Sequence, residues 1–530
     1  MAARRRPRPI PSPSEILQTE RVSDEQSESP LRPELAEVEH RRRLWSDEAR
    51  AAAVERRHAT GRRTVREDLA DLVDEGSWDE YGGFAVAAQR GRRSIAELIA
   101  STPGDGVLTG LARINGELVG SERSRAVVVA YDYTVLAGTQ GIAGHAKTDR
   151  MLSVVEQLQV PVVLLAEGGG GRPGDTDYPI VGGLHLMTFA SWARLSGVVP
   201  RIAVASGRCF AGNAALFGAA DITIATEGSS IGMAGPAMIE GGGLGVVEAD
   251  AIGPMDVQSR NGVVDVLVSD DAAAMAAARQ ALSYFQGATA DWSAPDQLPL
   301  REAIPENRRR AYDVRTVIRT LVDEDSVLEL GGKHARAMVT VLARLEGSPV
   351  GIVANNPLFS AGAITADAAE KATRFLALCN AFGLPVLSLC DTPGFMVGPD
   401  AEKTGLVRRA GALFNTASAL RVPLVTVVLR KGYGLGAMAM AGGSFHAGRA
   451  ILSWPTGEFG GMNLEGAVRL GMRRELAAID DATEREQAFQ AAVDASYEHG
   501  KALNTATHLE VDDVIDPTVT RSRVVRALLG

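Results

Sequence analysis

The sequence predicts an α/β fold made of two tandem copies of one layered unit. Three observations carry the prediction. Apolar strand-like runs alternate with helical stretches, the pattern repeats at a steady spacing, and one glycine-rich turn follows a buried strand twice. The clearest copy of that turn lies in Val422–Met440, VPLVTVVLRKGYGLGAMAM. Its β-branched run, Val422 to Leu429, reads as a strand buried in a parallel sheet. The chain then passes Arg430-Lys431 and three glycines (Gly432, Gly434, Gly436) into a small-residue helix from Ala437. A strand, a tight turn and a helix start leave unpaired backbone N–H groups at the positive end of a dipole. Such a place holds an oxyanion or a phosphate.

At 530 residues the chain exceeds one ordinary core, so two large domains are expected. Hydrophobic residues make up 45% and aromatics only 5%, against 57 glycines, so the cores must be built from Ala, Val, Leu and Gly. A net charge of −10 argues against a nucleic-acid binder. Cys209, Cys379 and Cys390 stand far apart in apolar surroundings, which fits buried thiols and neither a disulfide framework nor a metal site. There is no signal-peptide core, and no apolar run approaches the ~18 residues that span a bilayer. A cytoplasmic protein with no membrane partner is expected.

In chain order, residues 1–37 are rich in Pro, Ser, Arg and Glu, lack hydrophobic periodicity and read as a disordered tail. From Val38 to Arg66 the chain is charged and helical. VREDLADLVDEGS at Val65–Ser77 returns as VRTVIRTLVDEDS at Val314–Ser326, 249 residues on. ARINGELVG at Ala112–Gly120 returns as ARLEGSPVG at Ala343–Gly351, 231 on, after which the spacing settles at 224: Lys147 with Lys371, Pro161 with Pro385, Gly212 with Gly436. The expected halves are 38–300 and 301–530. Each has a strand pair across a short turn, a glycine-bearing loop into a long lysine-containing helix, an apolar strand ending in glycines, and a further strand and helix. That alternation predicts right-handed crossovers in α/β layers.

At the 224-residue spacing Ala211 lies on Leu435 and Gly212 on Gly436. Each pair is expected to present adjacent backbone N–H groups at a helix start, stabilising a developing oxyanion without any side chain. The same glycines also read as permitting close strand–helix packing. Gly434-x-Gly436-x-x-Ala439 matches a dinucleotide fingerprint, but Ala211-Gly212-Asn213 does not repeat it, and the fingerprint usually opens a domain. GGGGRPGD at Gly168–Asp175 lacks the G-K-[ST] of a P-loop.

Four segments then make the sequence familiar: CDTPGFMVGPDAEKTGLVRRAGAL (Cys390–Leu413), RKGYGLGAMAM (Arg430–Met440), SWPTGEFGGMNLEGAV (Ser453–Val468) and VDDVIDPTVTR (Val511–Arg521). With SGRCFAGNAALFGAADITIAT (Ser206–Thr226) and IGMAGPAMIEG (Ile231–Gly241), they resemble the carboxyltransferase (β) subunit of biotin-dependent acyl-CoA carboxylases, over about residues 60–530. This family includes acetyl-, propionyl- and methylcrotonyl-CoA carboxylases. The resemblance implies two tandem crotonase-like (ββα superhelix) domains. The first would bind the acyl-CoA; the second, from a neighbouring subunit, would receive carboxybiotin. CO2 would pass to the α-carbon through a thioester enolate, with the biotin N1 taking the α-proton. Two oxyanions need holding, and the resemblance places the thioester oxygen at Ala211 and Gly212 and the biotin oxygen at Leu435 and Gly436. Gly170, Gly171, Arg172, Gly434 and Ala437 are the candidate cofactor-binding residues.

The resemblance further implies a hexamer of two trimeric rings, homo- or hetero-oligomeric. Neither a biotinylation motif nor an ATP-binding glycine loop is present, so a separate biotin carboxylase and biotin carrier (α) subunit is the expected partner. Decarboxylase or transcarboxylase action in reverse, and a non-catalytic scaffold, are the alternatives. His145 reads as a partly exposed helix histidine, Asp391 as an architectural turn residue, and Lys431 as shaping its turn. Asn213 stands where relatives have glycine, Gln258 where they often have histidine, and Met438 where propionyl-type enzymes are acidic.

Overall fold

In the computed structural model, which describes residues 31–178 and 181–530, the sequence repeat becomes two sheets that share no strand. Residues 1–30 of the expected tail lie outside the described residues. Helix α1 (Pro33–Arg43) begins before Val38, so regular structure reaches into the stretch expected to be a tail; a proline in its first turn starts it, where a missing N–H costs no helical bond. Helix α2 (Ala51–His58) follows, then α3 (Val65–Leu72), whose start is fixed by reciprocal bonds between Thr64 and Glu67.

The first half then lays down β1 (Asp79–Glu80), β2 (Val107–Arg113), β3 (Arg125–Tyr131), helix α4 (Ile142–Leu158), β4 (Val162–Leu165), β5 (Arg201–Ala205), β6 (Arg208–Phe210), helix α5 (Gly212–Gly218), β7 (Ile222–Thr226), β8 (Ser230–Gly232), β9 (Val266–Val268) and helix α6 (Asp271–Ser283). Its sheet runs β1-β2-β3-β4-β5-β7-β9, antiparallel through β3 and parallel from there; β6 and β8 pair with each other beside it.

The second half repeats the plan with helix α7 (Val314–Leu321), β10 (Leu328–Leu330), β11 (Met338–Leu345), β12 (Ser348–Asn355), helix α8 (Ala366–Ala381), β13 (Val386–Thr392), helix α9 (Leu406–Ser418), β14 (Leu424–Tyr433), helix α10 (Gly434–Met440), β15 (Ala450–Ser453), β16 (Glu458–Gly460) and β17 (Asp513–Val514). Here the order is β10-β11-β12-β13-β14-β15-β17, with β16 beside the end of β14. The parallel strands are apolar without alternation because both faces are covered; every residue of β4, β5, β7 and β13 is buried.

The repeat is kept in contacts as well as in residue types. Arg66 pairs with Glu80 and Arg315 with Glu329. Asp74 accepts the N–H groups of Asn115 and Gly116, and Asp323 those of Glu346 and Gly347. One match needs correcting. Val127 pairs with Val162 and Gly351 with Val386, so Ser124–Val127, not Glu117–Gly120, is the counterpart of Ser348–Gly351. Asn115-Gly116 opens a short helical turn, Gly116–Val119, where the second half uses the tight turn Glu346-Gly347; this longer connection shifts the spacing from 231 to 224.

Each half has a core of its own, around Val127 and Leu164 in the first and Val341 and Leu389 in the second, and the two are also joined. A single buried cluster joins Leu72, Leu108 and Leu282 of the first half to Met338, Leu376 and Val428 of the second. Arg344 fastens the junction, donating to the carbonyls of Ser283 and Gly287.

Candidate functional site: two glycine turns

In each half three loops meet at the carboxyl ends of the parallel strands. After β3 and β12 the chain turns through Ala137-Gly138 and Ala361-Gly362, all four with positive φ (55° and 61°, 52° and 84°). Close backbone approach decides these positions: a Cβ on Gly138 would lie 2.5 Å from the Glu167 carbonyl oxygen, and one on Gly362 2.3 Å from that of Asp391. The loop after β4 then joins the first, with Gln140 N–H on Gly170 O at 2.7 Å and Arg172 N–H on Gln140 O at 2.9 Å. The second half repeats this with Ile364 N–H on Gly394 O at 3.0 Å and Met396 N–H on Ile364 O at 2.9 Å, each partner 224 residues on.

Against this pair of loops stand the starts of α5 and α10. A Cβ on Gly170 would meet Ala211 Cβ at 2.6 Å, and one on Gly436 would meet Gly394 Cα at 2.6 Å. Leu435 and Gly436 lie in the first turn of α10, where helix geometry leaves N–H groups without intrahelical partners, and among the described residues neither donates to a loop or turn carbonyl. The first turn differs. Ala211 donates its N–H to Gly232 O at 3.0 Å, because the β6–β8 ladder runs one residue into the turn. Ala211 therefore offers no donor, and the first-turn N–H groups of α5 with no loop or turn acceptor among the described residues are those of Gly212 and Asn213. Ala211 instead shapes the turn, with φ 50° and ψ −117°.

Asn213, fully buried, accepts the Gly170 N–H on Oδ1 at 3.0 Å and so ties the helix start to the loop after β4. Gln140 Oε1 and the Phe189 ring lie over Gly212. Gln258 donates Nε2–H to Ile231 O at 2.6 Å, bracing the β8 segment.

The second turn opens more widely. Leu435 is 63% exposed above a buried Gly436, and beside it a cleft of about 520 Å³ is walled by Gly434, Ala437, Met438, Phe459, His499 and Asn504. Gly434 and Ala437 thus stand at this cleft. Gly170 is buried in the loop packing and Gly171 is exposed.

Arg172 departs from expectation. Its side chain is only 6% exposed and is held between Asp105 and Asp175, a buried ion pair and not a surface one. Burial pushes the Asp105 carboxyl up, against the pull of that guanidinium. His145 is likewise buried, Nδ1 lying 2.9 Å from Thr188 Oγ1, and burial holds its pKa down. Asp391 is architectural: fully buried, it accepts from Tyr312 at 2.8 Å, Arg430 Nε at 3.1 Å and the Lys431 N–H at 3.2 Å. Lys431 shapes its surroundings by donating Nζ–H to Ala361 O at 2.7 Å. Arg57 and Glu167, which pair at the first turn, were not singled out from sequence; the signal was there, since Glu167 lies 224 residues before Asp391. The three cysteines are free and buried. Among the described residues no His, Cys, Asp and Glu cluster suits a metal ion, and no helix is long and apolar enough to cross a membrane.

Two duplicated turns with free donors invite comparison with known proteins. A family model described as a carboxyl transferase domain matches residues 56–529. The chain belongs to the carboxyl transferase family. This carboxyltransferase is 34% identical over 499 residues to a propionyl-CoA carboxylase beta chain of Saccharopolyspora erythraea, covering 90% of the chain and 89% of the relative. It is 33% identical over 492 residues to the methylmalonyl-CoA carboxyltransferase 12S subunit of Propionibacterium freudenreichii subsp. shermanii, covering 90% of each. Among solved structures it is similar to a single-chain, multi-domain long-chain acyl-CoA carboxylase (TM-score 0.89, 55% identity), covering 94% of the chain but 49% of that longer protein. It is also similar to the transcarboxylase 12S hexamer solved with methylmalonyl-CoA (TM-score 0.80, 29% identity, 93% and 94% covered). The carboxyltransferase is thus an enzyme of the biotin-dependent acyl-CoA carboxylase kind, folded as two tandem crotonase-like domains.

Proposed function

We propose that this carboxyltransferase moves CO2 from carboxybiotin, carried by a separate subunit, to the α-carbon of an acyl-CoA, each substrate oxygen resting on one glycine turn. The observation that carries the reading is the pair of first-turn N–H groups at each helix start that meet no loop or turn carbonyl, Gly212 with Asn213 and Leu435 with Gly436. Residues 38–300 serve the acyl-CoA and residues 301–530 the biotin. When bound, carboxybiotin supplies the CO2 and, through its ureido nitrogen, the base for the α-proton. The chain's own contribution is electrostatic. Gly212 and Asn213 stabilise charge on the thioester oxygen, and Leu435 and Gly436 that on the ureido oxygen; losing one such donor costs about 3–4 kcal/mol of transition-state stabilisation. No side-chain base is required. The cleft beside Gly434 and Ala437, about 520 Å³ and partly apolar at Met438 and Phe459, fits a bicyclic ring.

A long acyl chain is favoured over propionyl. The 55% identical structure is of a long-chain acyl-CoA carboxylase, and Met438 puts an apolar side chain in the cleft beside the second turn. Assembly as a hexamer with shared sites is supported by the apolar residues bared around both turns, Met233 (72% exposed), Leu435 (63%) and Val397 (84%). Free donors in both turns speak against a scaffold without activity, while carboxylation and its reverse use the same donors.

The test is transfer to biotin methyl ester by the purified full-length chain from the carboxylated forms of acetyl-, propionyl- and palmitoyl-CoA. The proposal expects carboxylated biotin ester and free acyl-CoA in equal amounts. A well-folded chain that transfers from none of the three contradicts it.

A further inference from the structure

The two halves neutralise the same buried acid in different ways. In the second half the cations come from the neighbouring strand: Arg430 Nε lies 3.1 Å and Lys431 Nζ 3.3 Å from the Asp391 carboxylate. Counted back 224 residues, Arg430 and Lys431 become Ser206 and Gly207, neither charged, while Asp391 becomes the longer Glu167. A Cβ on Gly207 would lie 2.0 Å from Glu167 Oε1, so a side chain there would have to push the carboxylate off its bond to Arg57.

The missing cation arrives from outside the repeat. Arg57, on α2 of the entering arm, donates Nη1–H to Glu167 Oε1 at 3.0 Å and Nη2–H to Oε2, the two side chains being 9% and 11% exposed. Arg57 is itself held, with Nε–H on Arg63 O at 2.8 Å and its guanidinium 5.3 Å from the Tyr133 ring. Arg62 adds bonds to the carbonyls of Ser206 and Gly228. Glu167 in turn opens the loop on which the first turn rests. Its carbonyl packs on Gly138, the next residue, Gly168, exchanges bonds with Arg208 O (2.8 Å) and Phe210 N (2.9 Å), and Gly170 abuts Ala211.

We propose that Arg57 is a positioning residue for the acyl-CoA turn, acting through Glu167, so that the arm 41–66 sets acyl-CoA recognition and leaves the biotin turn alone. The inference rests on the first turn being the acyl-CoA side. The charged groups facing Glu167 are Arg57 and Arg62 from the arm, Asp68 from α3 and Asp271 from α6. Burial pushes the Glu167 carboxyl up and Arg57 holds it back. Without Arg57, Glu167 is a buried charge short of its bidentate partner and shifts until it gains a proton or solvent.

The test uses the full-length chain and transfer to biotin methyl ester from the best of the three carboxylated acyl-CoA substrates. Arg57→Met is expected to lower kcat/KM for the acyl-CoA by about 10²-fold, the scale of a 1 Å misplacement, with KM for biotin methyl ester within about twofold of wild type. Part of the loss is expected to return at more acid pH, as Glu167 protonates, and most of it in Arg57→Met/Glu167→Gln, which buries no charge. If Arg57→Met does not fold, Glu167→Gln beside the paired variant makes the same comparison: loss in the first and recovery in the second support the inference, and wild-type kinetics in both overturn it. Unchanged acyl-CoA kinetics in folded Arg57→Met, or equal damage to both substrates, would overturn it while leaving the proposed function standing. A wild-type chain without transfer would overturn that function, and the inference with it.

Discussion

Gly212 and Gly436 hold equivalent positions, yet different neighbours constrain them. A Cβ on Gly436 would press on backbone, Gly394 Cα at 2.6 Å and C at 2.8 Å, so the second turn itself must shift to admit it. A Cβ on Gly212 would meet the end of a side chain, Gln140 Oε1 at 2.0 Å, with Phe189 Cζ at 3.1 Å. Side-chain ends can swing, so Gly212→Ala is expected to fold at a cost of about 1–3 kcal/mol while lowering kcat/KM for the acyl-CoA; calorimetry with substrate kinetics checks both halves of that statement. At this scale the sequence made the glycines legible, because their residue type and spacing are themselves the signal. What stayed hidden depended on partners far along the chain. The Ala211 N–H is taken by Gly232, Arg172 by Asp105, and Glu167 by Arg57, and no local pattern announces any of the three.

Helices α4 and α8 show how an element is fixed to its sheet by one buried cation. Lys147 donates to the carbonyls of Gly104 and Val107, and Lys371 to those of Gly331 (2.7 Å), His334 (3.0 Å) and Met338 (2.8 Å). Both ammonium groups are buried with carbonyls for partners, and burial brings Lys371 down from its ordinary 10.5 to about 8. Between these values the unfolded chain holds a proton that the folded lysine has released. Unfolding then takes up a proton, so the stability contributed by this group grows as pH rises from about 8 to 10.5. The stability of wild type relative to Lys371→Met is expected to climb across that window by up to about 3 kcal/mol, read as a widening gap in denaturant midpoints; a gap that narrows contradicts it. The order of elements was legible because alternating apolar runs and matched lysines survive duplication. The register of β3 against β12 was not, since Glu117–Gly120 resembles Ser348–Gly351 while the pairing follows Ser124–Val127.

Over the whole molecule, a shared buried cluster joins the separate cores of the two halves, so the two turns are carried on a common body. Apolar side chains bared around both turns, Met233, Val397 and Leu435 among them, mark a surface that assembly would cover. Light scattering is therefore expected to give a mass of six 55.8 kDa chains; a stable monomer at micromolar concentration contradicts that assembly. Under the proposed function the duplication accounts for the chemistry at this scale: one reaction would develop charge on two oxygens, and doubling one fold would supply a donor pair for each. Transfer to biotin methyl ester by Gly436→Ala, measured beside the dissociation constant for the acyl-CoA, tests this most directly. Transfer falling about 10²–10³-fold with acyl-CoA binding unchanged is the predicted result; transfer at the wild-type rate, or acyl-CoA binding lost with it, would contradict the assignment of one turn to each substrate.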